Sequence, residues 1–335
     1  MKSPNNLVSL GLVELLFVQC ILSAPSAQLS HLNARDDELP SLLSENFPDP
    51  AILQDTDGSW YAFATAGNDK QVQVAKANAP EGPWTYLDQD LLPNPGPWTS
   101  KKDTWAPDVR RIEDGSFVMY YSGQLGNDTA HHCIGTATAK SILGPYTAQK
   151  QPLACHIQDG GAIDPSGYYD QETQKRYVVY KVDGNSIGHG ENCGNTEGTL
   201  VPTPIMLQEL KADGITPVGQ PVQILDRTDD DGPLVEAPNL IKTSDGLFIL
   251  FFSSHCFNTP DYDVKYATSD SIRGPYLRAS QPLVQTGDYG LTAPGGATSI
   301  EDGGKMVFHA NCPSGRCLFE LDFRIEDGDV IACLG

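Results

Sequence analysis

Residues 46–65 read Asn-Phe-Pro-Asp-Pro-Ala-Ile-Leu-Gln-Asp-Thr-Asp-Gly-Ser-Trp-Tyr-Ala-Phe-Ala-Thr. They give a carboxylate, a proline, a short apolar strand, an Asp-Gly turn and a second strand ending in aromatic and small residues. The plan returns at Ala106-Pro107-Asp108 with the turn Glu113-Asp114-Gly115, and at Asp164-Pro165 with a turn near Glu172–Lys175. It returns again at Glu236-Ala237-Pro238 with Ser244-Asp245-Gly246, and at Ala293-Pro294 with Glu301-Asp302-Gly303. Between Gly58, Gly115, Thr173, Gly246 and Gly303 the steps are 57, 58, 73 and 57 residues. A period of this size marks a propeller or another repeat architecture. Five copies predict an all-β, five-bladed β-propeller.

The local physics supports each copy. Asp-Gly between two apolar runs is a strong hairpin signal, because glycine supplies positive φ without steric cost. Proline suits the first position of a strand and biases the residue before it towards extended geometry. A carboxylate at the entrance of each innermost strand then lies at one mouth of the central channel. On this reading Asp49, Asp108, Asp164 and Glu236 converge on one pocket.

A second repeat is independent of the first. Gly82-Pro83-Trp84, Gly144-Pro145-Tyr146 and Gly274-Pro275-Tyr276 stand before the predicted fourth strands of blades one, two and four. Blade three replaces this segment with a longer glycine-rich insertion over residues 184–204, which explains the 73-residue step. Predicted strands in blade one are Ala51–Gln54, Trp60–Thr65, Gln71–Ala75 and Thr85–Leu87. Blade five closes with Lys305–Ala310, Cys317–Phe323 and Val330–Cys333. No segment carries a useful helical period.

The chain before the repeats is different. Residues 1–27 combine Lys2, an apolar run from Leu7 to Leu22 interrupted by Glu14, and the small-residue stretch Ser23–Ala27. This is the pattern of a cleaved secretory signal peptide, with a membrane anchor as the alternative. No other stretch is long enough to cross a bilayer. Residues 28–45 are polar and read as an extended lead-in, and residues 46–335 as one propeller domain. The expectation is a secreted, extracellular monomer with no membrane partner. The net charge of −21 repels nucleic acid and anionic lipid.

Of eight cysteines, Cys20 leaves with the signal peptide. The remaining odd number predicts at least one thiol outside intrachain bridges. Cys312 and Cys317 flank a turn that brings two adjacent strands within bridging reach; the other pairings stay open. No Cys-x-x-Cys spacing exists, so structural disulfides are expected over a metal cluster. Asn127-Asp128-Thr129 is a glycan acceptor in an expected loop after a strand over Phe117–Ser122.

Four blocks taken together, Phe47-Pro48-Asp49-Pro50-Ala51-Ile52, Trp105-Ala106-Pro107-Asp108-Val109, Gly161-Ala162-Ile163-Asp164-Pro165 and Val235-Glu236-Ala237-Pro238, resemble the signature blocks of glycoside hydrolase family 43. The resemblance runs in order along the chain after residue 45. It implies a five-bladed propeller of inverting β-xylosidases, α-L-arabinofuranosidases and arabinanases. It also implies roles: Asp49 as general base, Glu236 as general acid, and Asp164 as the carboxylate that orients the acid and tunes its pKa. Arg316 resembles an arginine that contacts base and substrate. His309 matches a histidine near the propeller axis, often beside a calcium or sodium ion; the alternative is a buried histidine paired to a backbone carbonyl. No cofactor is required by the chemistry. Ala237 stands where many relatives have glycine.

The residue types make sense without the family. Inverting hydrolysis needs one carboxylate to activate water and one protonated carboxyl to protonate the leaving oxygen. A third carboxylate nearby raises the acid's pKa, because two like charges in one site ionise at a cost. Asp108 follows its proline instead of preceding it, so a structural role or a sugar-hydroxyl contact is expected there. Trp105 is read evenly as sugar platform or core. A related retaining group acting on sucrose and fructans is excluded, because Ile163 precedes Asp164 and Ala237 follows Glu236 where its motifs need Arg and Cys. A non-catalytic carbohydrate-binding propeller would not need three carboxylates. The expected activity is exo-acting, as an α-L-arabinofuranosidase or β-xylosidase on plant cell-wall polysaccharide, with an endo-arabinanase as the alternative.

Overall fold

The computed structural model describes residues 38–334. The expected signal peptide and most of the lead-in lie outside the described residues. Twenty strands form five antiparallel four-stranded sheets, each built from four consecutive strands. The first strands are Ala51–Gln54, Thr99–Arg111, Ala162–Asp170, Val235–Lys242 and Gly295–Ser299. Each contacts the first strand of the next blade, and the fifth returns to the first. They therefore line the axis of a closed five-bladed propeller.

Strand alternation explains why the blades stack. Successive side chains point to opposite faces, and both faces of a blade are covered by neighbours. In blade two, Phe117, Met119 and Tyr121 join Leu53 and Phe63 of blade one, whereas Val118 and Tyr120 join Val178 and Tyr180 of blade three. Each of the five apolar clusters lies between two adjacent blades in this way. The core is a ring of interfaces. The hairpin glycines Gly58, Gly115, Gly246 and Gly303 all have positive φ, as the Asp-Gly turns require.

The second repeat closes its own loops. Trp84 Nε1 donates to the Pro80 carbonyl, and the Tyr146 and Tyr276 hydroxyls donate to Ile142 and Ile272, each four residues back, at 2.8, 3.0 and 3.2 Å. The Gly-Pro bond in all three copies is cis. Blade three instead carries the insertion, tied to a blade-four loop by Cys193–Cys256. Cys312–Cys317 forms across the hairpin as its spacing suggested, and Cys133–Cys155 is the third bridge. Cys333 lies outside these bridges; its Sγ donates to the Ile331 carbonyl at 3.8 Å.

The ring closes without a shared blade. Leu42 and Phe47 donate backbone N–H groups to Leu318 and Arg316 of blade five, and Leu43 and Phe47 are buried in the cluster between blades five and one. The end of the lead-in is therefore a packed strap across the seam.

One expectation is corrected. The residue before each repeat proline is not extended: Asp49, Ala106, Asp164, Ala237 and Ala293 have φ of 54, 42, 57, 50 and 49°. In blades two to four the ladder shifts register at this point, and in blade five it shifts between Gly295 and Thr298. Proline bars right-handed helical geometry at the preceding residue, and the bulge takes the left-handed alternative. Each such non-glycine residue costs on the order of 1–2 kcal/mol. Bulges of this kind re-aim side chains next to active sites.

Candidate active site

Four of the left-handed positions, Asp49, Ala106, Asp164 and Ala237, form one layer around the axis, completed in blade five by Gly296, whose φ is 62°. Asp49 and Asp164 occupy two of them, and Glu236 stands one residue before a third. Together with Ala106, Ala237 and Gly296 from the remaining blades, Asp49 and Asp164 line an axial cavity of about 30 Å³. That holds a water or two and no sugar, so a substrate must sit above it, at the mouth. A cavity of 390 Å³ opens where the innermost strands end, lined by Arg110, Arg111, Tyr168 and Glu301, far along those strands from the three carboxylates.

Asp49 is held from three sides. Arg316 Nη1 donates to its Oδ1 at 3.1 Å, and Thr65 Oγ1 donates to Oδ2 at 2.5 Å. Thr65 is itself fixed, accepting the Ala106 N–H at 2.8 Å. The Asp49 backbone N–H donates to His309 Nδ1 at 3.0 Å. Burial pushes the Asp49 carboxyl up, but the Arg316 guanidinium and the Thr65 hydroxyl outweigh it and hold its pKa below the usual range. A carboxylate that stays ionised is what a general base needs.

Asp164 is tuned the opposite way. Burial first, then the charge of Glu236, raise its pKa well above the ordinary carboxylate value. Its Oδ2 accepts the Ala237 N–H at 3.0 Å, and its own N–H donates to Ser122 Oγ at 2.9 Å. Glu236 accepts Tyr262 Oη at 2.9 Å on Oε1 and Lys181 Nζ at 3.1 Å on Oε2. Asp164 therefore keeps its proton to higher pH than an ordinary carboxylate. Tyr262 rests on Gly295: a β-carbon there would lie 2.0 Å from the tyrosine ring.

Asp108 lines the same axial cavity as Asp49 and Asp164 but is engaged differently. It lies two residues further into the channel than Ala106, is 3% exposed, and its Oδ2 accepts Arg110 Nε at 2.9 Å and the Gly167 N–H at 2.6 Å. The bond from Gly167 ties blade two to blade three. Trp105 occupies the position equivalent to Glu236 in blade two, and its ring stacks on His132 at 3.6 Å. Arg316 reaches Asp49 as expected, and its guanidinium also lies over Phe257, 4.8 Å from the ring centre.

His309 is fully buried, but its partner is a backbone N–H where a carbonyl was expected. Because Nδ1 accepts, the neutral ring carries its proton on Nε2, and Nε2 has no hydrogen-bond partner among the described residues. A protonated nitrogen is no metal ligand. Among the described residues no group of three or more His, Cys, Asp or Glu side chains is arranged to hold a metal. The donor set therefore does not fit a directly ligated calcium or sodium ion.

The profile described as "Glycosyl hydrolases family 43" matches residues 89–327. The chain belongs to that family. It is 25% identical over 248 residues to "Probable arabinan endo-1,5-alpha-L-arabinosidase A" of Aspergillus flavus, covering 70% of this chain and 69% of that protein. It is 25% identical over 288 residues to "Extracellular endo-alpha-(1->5)-L-arabinanase 1" of Bacillus subtilis, covering 80% of each. Among solved structures it resembles a thermostable family-43 glycoside hydrolase, with TM-score 0.72 and 24% identity over 89% of this chain and 95% of that one. It also resembles native Bacillus subtilis arabinanase, with TM-score 0.64 and 22% identity over 87% and 100%. These two likenesses show the fold. The family 43 chain is a glycoside hydrolase, and its chemistry is hydrolysis of glycosidic bonds.

Sequence reading missed Lys181, Thr65, Tyr262, His132 and Phe257. Lys181 carried a signal, a lysine inside the apolar run Tyr177–Val182. The others gave none, because a threonine or tyrosine beside a strand end is ordinary and only the closed ring brings them to the carboxylates.

Proposed function

We propose that this protein is a secreted, inverting endo-1,5-α-L-arabinanase. The observation that carries the mechanism is the opposite tuning of two carboxylates: Asp49 held ionised under Arg316 and Thr65, and Asp164 pushed towards its protonated form beside Glu236. Asp49 activates water, and Glu236 passes a proton to the glycosidic oxygen as the C1–O bond breaks. Asp164 orients the acid and supplies the neighbouring charge. Blades one and four are not adjacent in the ring, which suits a base and an acid on opposite sides of the sugar.

The substrate assignment rests on the relatives. Proteins matched over most of their length are named as arabinan endo-1,5-α-L-arabinosidases and arabinanases. This favours the endo alternative over the exo-acting arabinofuranosidase or β-xylosidase expected from sequence. Phe257, 42% exposed beside Arg316, adds an apolar platform for a furanose ring at the mouth. Secretion is supported by the names of the Bacillus relatives, which include "extracellular", and by three disulfides, which persist in oxidising compartments. A time course on linear 1,5-α-arabinan, with aryl α-L-arabinofuranoside and aryl β-xyloside alongside, tests the reading. Early release of a ladder of arabino-oligosaccharides is expected; arabinose alone from the first minutes would return the assignment to exo action.

A further inference from the structure

Lys181 has no place in the family-block reading of the sequence, and its environment is unusual. It lies on the second strand of blade three, Lys175–Val182, with a side chain that is completely buried. Its Nζ forms ion pairs with Asp183 Oδ1 at 3.0 Å and Glu236 Oε2 at 3.1 Å. Burying an ammonium is costly, and a buried ion pair is often no more stabilising than apolar residues of the same volume. A packing role alone would be met by methionine.

The other groups facing this cluster leave Lys181 as its local cation. Asp164, on the inner strand of blade three, lies beside Glu236 of blade four. Tyr262, from blade four, donates to Glu236 and stacks on His309. His132 of blade two feels Asp183, but burial lowers its pKa to about 4 and keeps it neutral. Arg316 belongs to Asp49 across the mouth.

We infer that Lys181, steadied by Asp183, is a positioning residue that strengthens Glu236 as an acid by stabilising the carboxylate left when its proton has gone. This rests on the assignment of Glu236 as general acid. The proton moves from the Glu236 carboxyl to the glycosidic oxygen, the C1–O electron pair goes to that oxygen, and Lys181 keeps all its protons. The hydrogen bonds seen at Glu236 all come from donors, which is the arrangement suited to its conjugate base. Asp183 has the opposite effect, drawing the ammonium partly away from Glu236.

The test is the pH profile of kcat/KM on linear 1,5-α-arabinan for Lys181→Met and Asp183→Asn. Loss of the cation should move the alkaline limb up by about one pH unit, and loss of Asp183 should move it down. Lys181→Met should also lose about tenfold or more in kcat on arabinan, and much less on dinitrophenyl arabino-oligosaccharides, whose leaving group departs without a proton. If Lys181→Met does not fold, the downward shift in Asp183→Asn decides the matter alone. Limbs that stay in place, or move in the same direction, overturn the proposal. Glu236→Gln, run in parallel, separates the two readings: equal losses on both leaving groups would remove Glu236 as the acid, and the role of Lys181 with it.

Discussion

The Asp49 backbone N–H donates to His309 Nδ1 at 3.0 Å, across the seam where blade five meets blade one. The bond joins residues 260 positions apart and holds the candidate base at the axis through its main chain, leaving both carboxylate oxygens for Thr65 and Arg316. It also fixes the ring's proton on Nε2. Burial lowers the His309 pKa to about 3, so the ring is neutral wherever the enzyme is folded and active.

Acid stability follows from that shift. The unfolded chain protonates this histidine below about pH 6.5, whereas the folded protein does not until near pH 3. The unfolded state therefore binds more protons in this window, and stability falls as pH drops from 6.5 towards 3. His132, lowered to about 4 by burial, adds in the same direction. His309→Gln keeps an acceptor for the Asp49 N–H and does not titrate. Its melting temperature should fall less between pH 6.5 and 4 than that of the wild type; parallel curves would show that His309 is not neutral in the fold.

Thr65→Val removes one donor from Asp49 and leaves Arg316 in place. The carboxyl should then hold its proton to higher pH, and the acid limb of kcat/KM should move upward. The shift should be a fraction of a pH unit, with kcat reduced by about tenfold because water activation weakens. A change confined to KM would mean that Thr65 serves substrate binding instead.

Gly295 supports the opposite wall. A β-carbon placed there falls 2.0 Å from the Tyr262 ring, and a rigid ring buried between Gly295 and His309 cannot yield cheaply. Gly295→Ala should cost about 1–3 kcal/mol by overpacking and should displace the donor to Glu236. Denaturant unfolding reads the first effect and arabinan hydrolysis the second. Unchanged stability would show that the ring can move aside.

These residues mark where the sequence stops being legible. The blade period, the Asp-Gly turns and the three Asp-Pro and Glu-Ala-Pro carboxylates are local patterns, and the fold places Asp49, Asp164 and Glu236 in one layer at the mouth. Asp108 follows its proline, and the left-handed bulge at Ala106 sets it two residues deeper, where Arg110 and the Gly167 N–H engage it. Lys181, Thr65 and Tyr262 reach the carboxylates from second strands and loops of different blades, so their meeting depends on ring closure, which no short window of sequence records.

Two of the disulfides differ in what they constrain. Cys193–Cys256 spans 63 positions and joins the blade-three insertion to the loop that carries Phe257; Cys312–Cys317 spans 5 and staples one hairpin. In the chain-entropy picture the longer loop contributes more. The Cys193→Ser/Cys256→Ser double variant should lose about 2–5 kcal/mol and raise KM for arabinan, whereas Cys312→Ser/Cys317→Ser should lose less. Equal losses by calorimetry would place the stabilisation in local packing.

The account turns on Asp49 activating water in a single displacement while Glu236 protonates the leaving oxygen. Proton NMR of linear 1,5-α-arabinan hydrolysis, read in the first minutes before mutarotation, reports the anomer released. The account predicts β-L-arabinofuranose at the new reducing end. An α-anomer formed first would contradict it, because a carboxylate would then be bonding the sugar directly.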